Sequence, residues 1–264
     1  MMKTRLDVYL TSKAFYKSRT YSQKAIESGE VSVNGEVVKK SSFLVDDSDK
    51  IDITSEIPEF VGRGGYKLKA AVSQFGLNLN GLVCADLGAS TGGFTDCMLQ
   101  NGAKKVYAVD VGKDQLDQKL RNDERVINIE GMNVRDIDGK TFEESMDFIC
   151  ADLSFISLSY ALKPIKSILK TNGEAVVLVK PQFEAGKSAL NKNGIVKNPK
   201  DHIYSLNKIC GECKLMGFSV KSVIYSPIAG GDGNKEYLLH LINSDENASV
   251  DIAEAVKSAF ENVK

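Results

Sequence analysis

Apolar and polar positions change their period near residue 60 of this 264-residue chain, which separates a short first region from a long second one. In the first region, Leu6, Val8, Tyr9 and Leu10, then Ser18-Arg19 with Ala25 and Ile26, give two brief helical patterns that end at Gly29. Val31-Ser-Val-Asn-Gly-Glu-Val-Val38 reads as two short strands about an Asn34-Gly35 turn, the strongest short-range hairpin signal. Asp46, Asp47, Asp49 and Ile51-Asp-Ile53 close a helix-helix-hairpin module. The expected organisation is a small α+β domain at 1–56, a linker at 57–65 and a larger domain at 66–264.

In the second region, apolar runs of strand length alternate with helical patterns. Strands are expected near 82–87, 105–110, 125–130, 147–152 and 174–180, with helices near 66–77, 92–101, 114–121, 157–169 and 199–217. This alternation predicts an α/β fold with a Rossmann-like parallel sheet covered on both faces. Val220–Ser226 and Glu236–Ile242 are expected to pair antiparallel at the sheet edge, around the loop Ala229-Gly-Gly-Asp-Gly-Asn234. A terminal amphipathic helix over Val250–Val263 presents Ile252, Ala255, Val256, Ala259 and Phe260 on one face.

Composition narrows the function classes. Thirty-four basic residues nearly balance thirty-five acidic ones, and a net charge of −1 gives no global argument for nucleic acid, so any such affinity is local. No apolar run approaches the roughly 20 residues that span a bilayer, and the start of the chain lacks the apolar core of a secretory signal. A soluble, cytoplasmic, monomeric protein without a membrane partner is expected. The five cysteines are odd in number and imply no disulfide framework. Cys210-Gly-Glu-Cys213 has the spacing of half a zinc site, but no second ligand pair stands beside it, and no metal is expected.

The chemistry begins at Cys84-Ala-Asp-Leu-Gly-Ala-Ser-Thr-Gly-Gly-Phe-Thr-Asp96, a buried strand running into a glycine-rich turn and a helix. Three residues separate Gly88 from Gly92, unlike a dinucleotide fingerprint, and the Gly-Lys-Ser/Thr ending of a Walker loop is missing. The acidic Asp86, the small residues of the turn and Asp110 at the end of the next strand suit a ligand with ribose and amino-acid ends and no pyrophosphate, S-adenosylmethionine. A turn that merely packs strand on helix is the alternative. In open parallel sheets, ligands sit beyond the carboxyl ends of the strands. The expected cofactor contacts are therefore Asp86, Gly88, Ala89, Ser90, Thr91, Gly92, Gly93 and Phe94, whose amides face the methionine carboxylate; Asp110 and Val111 at the ribose; Asn133 at the adenine; and Asp152. Lys180 follows four apolar residues and precedes a proline, which makes it either a desolvated general base or a strand-end lysine reaching water. Phe155 and Phe183 flank the same crevice, to stack on a flipped-out nucleotide or simply to anchor their loops.

Two sets of motifs carry a resemblance. Arg5-Leu-Asp-x-Tyr-Leu10, Ser18-Arg19, Ala25-x-x-x-Gly29-x-Val-x-Val-Asn-Gly35 and Asp49-x-Ile51 resemble the alpha-L RNA-binding motif over about residues 4 to 54. Arg63-Gly-Gly-Tyr-Lys-Leu68, Gly88–Thr95, Ala151-Asp-Leu-Ser-Phe-Ile-Ser157 and Val179-Lys-Pro-Gln-Phe-Glu184 resemble the TlyA family, whose catalytic domain is similar to the FtsJ class of RNA ribose 2′-O-methyltransferases. That resemblance implies a Lys-Asp-Lys-Glu tetrad with Lys67, Asp152, Lys180 and Glu236 as its counterparts, Lys69 being the near alternative to Lys67. It also implies methylation of cytidine in ribosomal RNA, with ribosomal subunits as partners. The RNA contacts it suggests are Arg5, Lys17, Arg19, Lys24, Lys39 and Lys40 in the small domain, Arg63 in the linker and Phe155 at the crevice. The competing classes are a non-catalytic ribosome-assembly factor, a small-molecule methyltransferase and a haemolysin acting on membranes. The last has neither a spanning segment nor a strongly basic amphipathic helix to support it.

Overall fold

The computed structural model describes residues 3–16, 18–54, 58–230, 233–246 and 249–263, and it divides into two compact units, Met1–Glu59 and Phe60–Lys264. Lys17, the end of the expected small domain (Ser55 and Glu56), Ile57 of the expected linker and Gly231-Asp232 of the glycine-rich loop lie outside the described residues.

In the smaller unit, strand β1 (Thr4–Arg5) leads into helix α1 (Leu6–Ser12), followed by α2 (Arg19–Glu27), β2 (Val31–Val33), β3 (Glu36–Val37), β4 (Leu44–Val45) and β5 (Ile51–Ile53). Ser18 caps α2 by accepting a hydrogen bond from the Tyr21 amide. Asn34 and Gly35 both take positive φ (53° and 88°), the turn that lets β2 and β3 pair antiparallel. β5 pairs on the other side of β2, and β1 pairs with β4. Leu6, Leu10, Ile26, Val31 and Val45 fill a small core. At its rim, the fully buried Asp7 carboxylate accepts hydrogen bonds from Arg5 (3.0 and 2.9 Å), Arg19 (3.0 Å) and Gln23 (2.8 Å).

The larger unit opens with α3 (Gly64–Phe75) and builds a seven-stranded sheet from β6 (Val83–Leu87), β7 (Lys105–Asp110), β8 (Val126–Glu130), β9 (Met146–Ala151), β10 (Leu169–Val179), β11 (Ser219–Tyr225) and β12 (Tyr237–Ile242). The strand order is β11-β12-β10-β9-β6-β7-β8. The five strands from β8 to β10 run parallel, and β12 inserts antiparallel between β10 and the edge strand β11, the expected late pair. Successive strands step outward from β6 through β7 to β8, then return to the other side at β9. The crevice between β6 and β9 is thus the reversal point at which open sheets bind ligands.

Alternation along the strands feeds two cores. Ala85, Leu87, Ile149 and Val177 face α6 (Ser159–Ile168), α8 (Pro199–Leu215, after the one-turn α7, Pro181–Glu184) and α9 (Ile252–Asn262), whereas Cys84, Phe148, Cys150 and Val176 face α3 and α4 (Gly93–Gln100). Cys210 and Cys213 sit buried in α8 as core residues. The helix expected over 114–121 contracts to α5 (Gln118–Arg121). Asp114 takes φ 56°, and the amides of Asp114, Gln115 and Leu116 bond to the Glu130 carboxylate instead of starting a helix. Among the described residues no helix is long and apolar enough to cross a membrane.

Candidate active site

Most candidate groups of the larger unit sit at or just beyond strand ends on the carboxyl edge, and Lys67 is added from helix α3. β6 ends at Leu87 and turns at Gly88, where φ is 88° and a Cβ would lie 2.5 Å from the Asp152 carbonyl oxygen. Only glycine lets the two loops of the reversal point approach this closely. Two adjoining cavities result. One, of about 220 Å³, is lined by Lys67, Asp86, Ala89, Thr91, Gly93 and Phe94; the other, of about 390 Å³, by Asp110, Val111, Met132, Asn133, Leu153 and Phe155. Gly88, Ser90 and Asp152 line both.

The shape fits a ligand bent over Gly88, with a sugar and base on one side and a compact charged end on the other. The Asp110 oxygens accept from the Ser90 and Gly112 amides at 2.8 and 2.7 Å, each keeping a lone pair for ribose hydroxyls. Asn133 uses its side-chain oxygen on the Arg135 amide (3.1 Å), so its amide nitrogen is the group available to a base. The Gly88 and Ala89 amides differ from expectation, since both bond to Val109 O. The first-turn amides of α4, Gly93 and Phe94, have no intrahelical acceptor and are the ones free to meet a carboxylate. Gly92 also differs. It lines neither cavity, and a Cβ there would meet Leu120 at 2.2 Å and Leu116 at 2.7 Å, so its task is to let α5 pack.

Asp86 is buried beneath the smaller cavity, and one of its oxygens accepts from both the Thr95 amide (2.9 Å) and hydroxyl (2.7 Å). Burial pushes its carboxyl up to about 6, against the opposing effect of the Thr95 hydrogen bonds.

Lys67, Asp152, Lys180 and Glu236 come together in one chain of ion pairs. Glu236 Oε2 lies 2.6 Å from Lys67 Nζ, which lies 3.3 Å from Asp152 Oδ2; Asp152 Oδ1 lies 2.6 Å from Lys180 Nζ. Lys67 is on the inward face of α3, where it meets Asp152 and Glu236, while Lys69 is exposed. Burial disfavours the Lys67 ammonium, but Asp152 and Glu236 together outweigh that effect and raise its pKa above the ordinary value. Glu236 pairs with Lys67 and not with Lys180. Lys180 instead donates to Ser154 Oγ at 2.9 Å and lies 5.9 Å from the centroid of Phe183. Two basic and two acidic side chains thus meet at one place, with Asp152 between the two lysines.

Next to Lys180 stands a strained aromatic. Phe155 adopts φ 66°, which a bulky residue rarely does, and is 89% exposed, with its ring 5.8 Å from that of Phe183. Its loop is fastened by Glu184, a buried carboxylate that accepts from the Ser157 hydroxyl (2.7 Å), the Leu158 amide (2.7 Å) and Lys208 (3.1 Å). Ser154 and Glu184 were visible in the sequence only as members of motifs; their partners lie 24 to 27 residues away, a separation without local periodicity.

The RNA-contact candidates fall into three groups. Arg5 and Arg19 hold Asp7 yet keep 42% and 53% of their side-chain surface exposed. Lys24, Lys39 and Lys40 are exposed on the smaller unit. Arg63 and Phe155 are exposed at the two cavities of the larger unit.

Comparison with known proteins places these observations. Residues 60–243 match the FtsJ-like methyltransferase family, and residues 4–51 match the S4 domain. The chain is 41% identical over 239 residues to hemolysin A of Brachyspira hyodysenteriae, covering 90% of this chain and 99% of that protein. It is 34% identical over 247 residues to the 16S/23S rRNA (cytidine-2′-O)-methyltransferase TlyA of Mycobacterium tuberculosis, covering 93% and 92%. A solved Streptococcus thermophilus structure with a provisional hemolysin name superposes with a TM-score of 0.77 at 40% identity, covering 99% of this chain and 97% of that one.

Proposed function

The chain belongs to the TlyA family of FtsJ-like methyltransferases with an S4 domain, and from that premise we propose that it methylates the ribose 2′-oxygen of a cytidine in ribosomal RNA, acting on assembled subunits. The observation that carries the reading is the largely buried Glu236-Lys67-Asp152-Lys180 chain of ion pairs, whose Lys67 and Asp152 stand with Gly88 at the junction of two cavities that suit S-adenosylmethionine. When bound, that cofactor supplies a methyl group activated by its sulfonium. The protein must then align the acceptor and manage one poorly acidic hydroxyl.

Lys180 Nζ is the proton acceptor in this reading. Its lone pair becomes available when its proton is released, and Asp152 and Ser154 fix the direction in which the amine points. Lys67, locked by Glu236, holds the second Asp152 oxygen and keeps the carboxylate from turning away. Phe155 and Phe183 form the surface on which an extruded base stacks, and the strained backbone at Phe155 presents its ring to solvent before RNA arrives. The S4 unit supplies sequence-tolerant affinity for structured RNA through Arg5, Arg19, Lys24, Lys39 and Lys40.

The test is transfer of labelled methyl from S-adenosylmethionine to purified ribosomal subunits, followed by mapping of the modified ribose. A 2′-O-methylcytidine supports the assignment. Labelling of a base or of a small molecule, with rRNA ribose left unlabelled, overturns it.

A further inference from the structure

Between the two loops that carry the reacting groups lies a segment that neither cavity explains. From Ala185 to Lys200 the chain holds four lysines and no acid, although the protein as a whole carries slightly more acid than base. Lys187, Lys192 and Lys197 are exposed, and among the described residues none has an acidic partner.

The segment is held rather than loose. Leu190 and Val196 form an antiparallel bridge, and the Asn191 side-chain oxygen accepts from the amides of Asn193 (2.8 Å) and Ile195 (3.0 Å) to close the tip. The buried Asn234 then grips it from across the fold, accepting from the Val196 amide at 3.3 Å and donating to Gly194 O at 3.2 Å. Buried His202 adds a second fastening. Its Nε2 donates to Val196 O (2.9 Å), which leaves Nδ1 to accept from the Tyr237 hydroxyl (2.9 Å).

Both fastenings lead to the reaction centre. Asn234 and Tyr237 flank Glu236, while the root of the segment follows directly from Lys180, Phe183 and Glu184. A solvated connection needs no such anchoring. A backbone held in place fixes the points from which the three lysine side chains start, so less freedom is lost when they meet a polyanionic strand than from a loose loop.

We propose that Ala185–Asn198 is a phosphate-binding arm, which grips the RNA backbone flanking the target nucleotide through Lys187, Lys192 and Lys197. This rests on the methyltransferase reading for the identity of the polyanion. The contact is electrostatic and independent of sequence. It belongs to the catalytic unit and is separate from the S4 surface.

The test compares the full-length protein with a triple variant, Lys187→Gln, Lys192→Gln and Lys197→Gln, binding ribosomal subunits across a range of salt. Because each phosphate contact on a single strand contributes about 0.7 to the salt slope, losing three should lower the slope by about 2 and the affinity at about 0.15 M salt by about 50-fold. S-adenosylmethionine affinity and the melting temperature should not change, and the triple Lys→Arg variant should bind like the parent. A charge-matched control, Lys104→Gln, Lys140→Gln and Lys214→Gln, alters exposed lysines that precede β7, precede β9 and end α8, on the amino edge of the sheet. An arm variant whose slope and affinity match those of this control overturns the proposal. Parent protein that binds subunits without methylating them counts against the enzymatic reading, while the slope of the arm variant still decides on the arm.

Discussion

Each unit of this protein surrounds a carboxylate with two cations, and the two arrangements differ in the cation chosen and in how deeply it is buried. In the small unit, Asp7 is fully buried but its arginines, Arg5 and Arg19, keep 42% and 53% of their side-chain surface in contact with solvent. In the large unit, Asp152 is held by Lys67 and Lys180, whose side chains are 10% and 9% exposed. Arginine keeps its proton under all ordinary conditions and forks onto a carboxylate, while lysine can give its proton up when desolvated. The first cluster is therefore a strut whose guanidiniums stay partly at the surface. In the second, Asp152 and Glu236 hold the Lys67 ammonium charged, and the proposed proton transfer falls to Lys180 alone.

The largest effect that would break this comparison is at Lys180. Replacement by alanine should lower methyl transfer by about 10³-fold, the scale of a lost general base, while calorimetry finds S-adenosylmethionine binding within a few-fold of the parent. Lys180→Arg should not restore activity, because a permanently charged guanidinium cannot accept a proton. Near-normal turnover by either variant would remove Lys180 from the chemistry.

The Lys67–Glu236 pair should give the next largest effect. Lys67→Met and Glu236→Gln should each slow transfer by about 10- to 100-fold, and the double variant should lose far less than the product, since both act through the orientation of Asp152. Stability should behave differently. Replacing both members of a buried ion pair is often neutral or favourable, so the double variant should melt no lower than the parent. Multiplicative losses in turnover would show that the two residues act separately.

Much of this was legible in the sequence, and the exceptions share a cause. The strand expected at 105–110 is β7 to the residue, and the four tetrad counterparts do meet. Such features are written in local periodicity or in a motif at a strand end. The pairing of Glu236 with Lys67 rather than Lys180, the Glu184 anchor under Phe155 and the Asn234 grip on the lysine arm all join residues 24 to 169 positions apart. The shortened α5 failed for a related reason, as the Glu130 carboxylate of another strand outcompetes the helix for its amides. Turning Gly92 toward α5 likewise depends on Leu116 and Leu120, which no spacing rule places.

A smaller effect is expected in the S4 unit. Asp7→Asn should destabilise it by about 2 kcal/mol, between the cost of breaking an exposed pair and the roughly 3–5 kcal/mol of a fully buried one, because both guanidiniums remain half in water. Hydrogen bonding from Arg5 above all, then from Gln23 and Arg19, opposes the effect of burial and holds the Asp7 carboxyl well below its usual range. A depressed carboxylate contributes stability that is present above the ordinary value of about 3.9 and is lost as pH falls below it. Acid melts of the parent should show that loss, and Asp7→Asn should remove it. Transfer to saturating RNA should be unaffected, in contrast to Lys180→Ala.

The smallest effect has the opposite sign and sharpens the contrast most. Asp86 is also buried, but no cation offsets its burial, and its carboxyl is raised to about 6. Between about 4 and 6 the folded protein holds a proton that the unfolded chain releases, so stability without cofactor should decline as pH rises through that window and level off above it. Asp7 acts only below about 4, so the two slopes do not overlap. A cationic ligand group in the cavity above Asp86 favours its ionised form, and S-adenosylmethionine carries such a group in its ammonium. Binding should therefore weaken about four-fold between pH 7.5 and 5.5, as the carboxylate takes up its proton. Asp86→Asn should flatten both the stability slope and the binding profile, with the Thr95 hydroxyl still able to donate to the amide oxygen. If parent and Asp86→Asn proteins show the same pH dependence of calorimetric affinity, Asp86 serves only to seat α4 through Thr95 and has no part in holding the ligand.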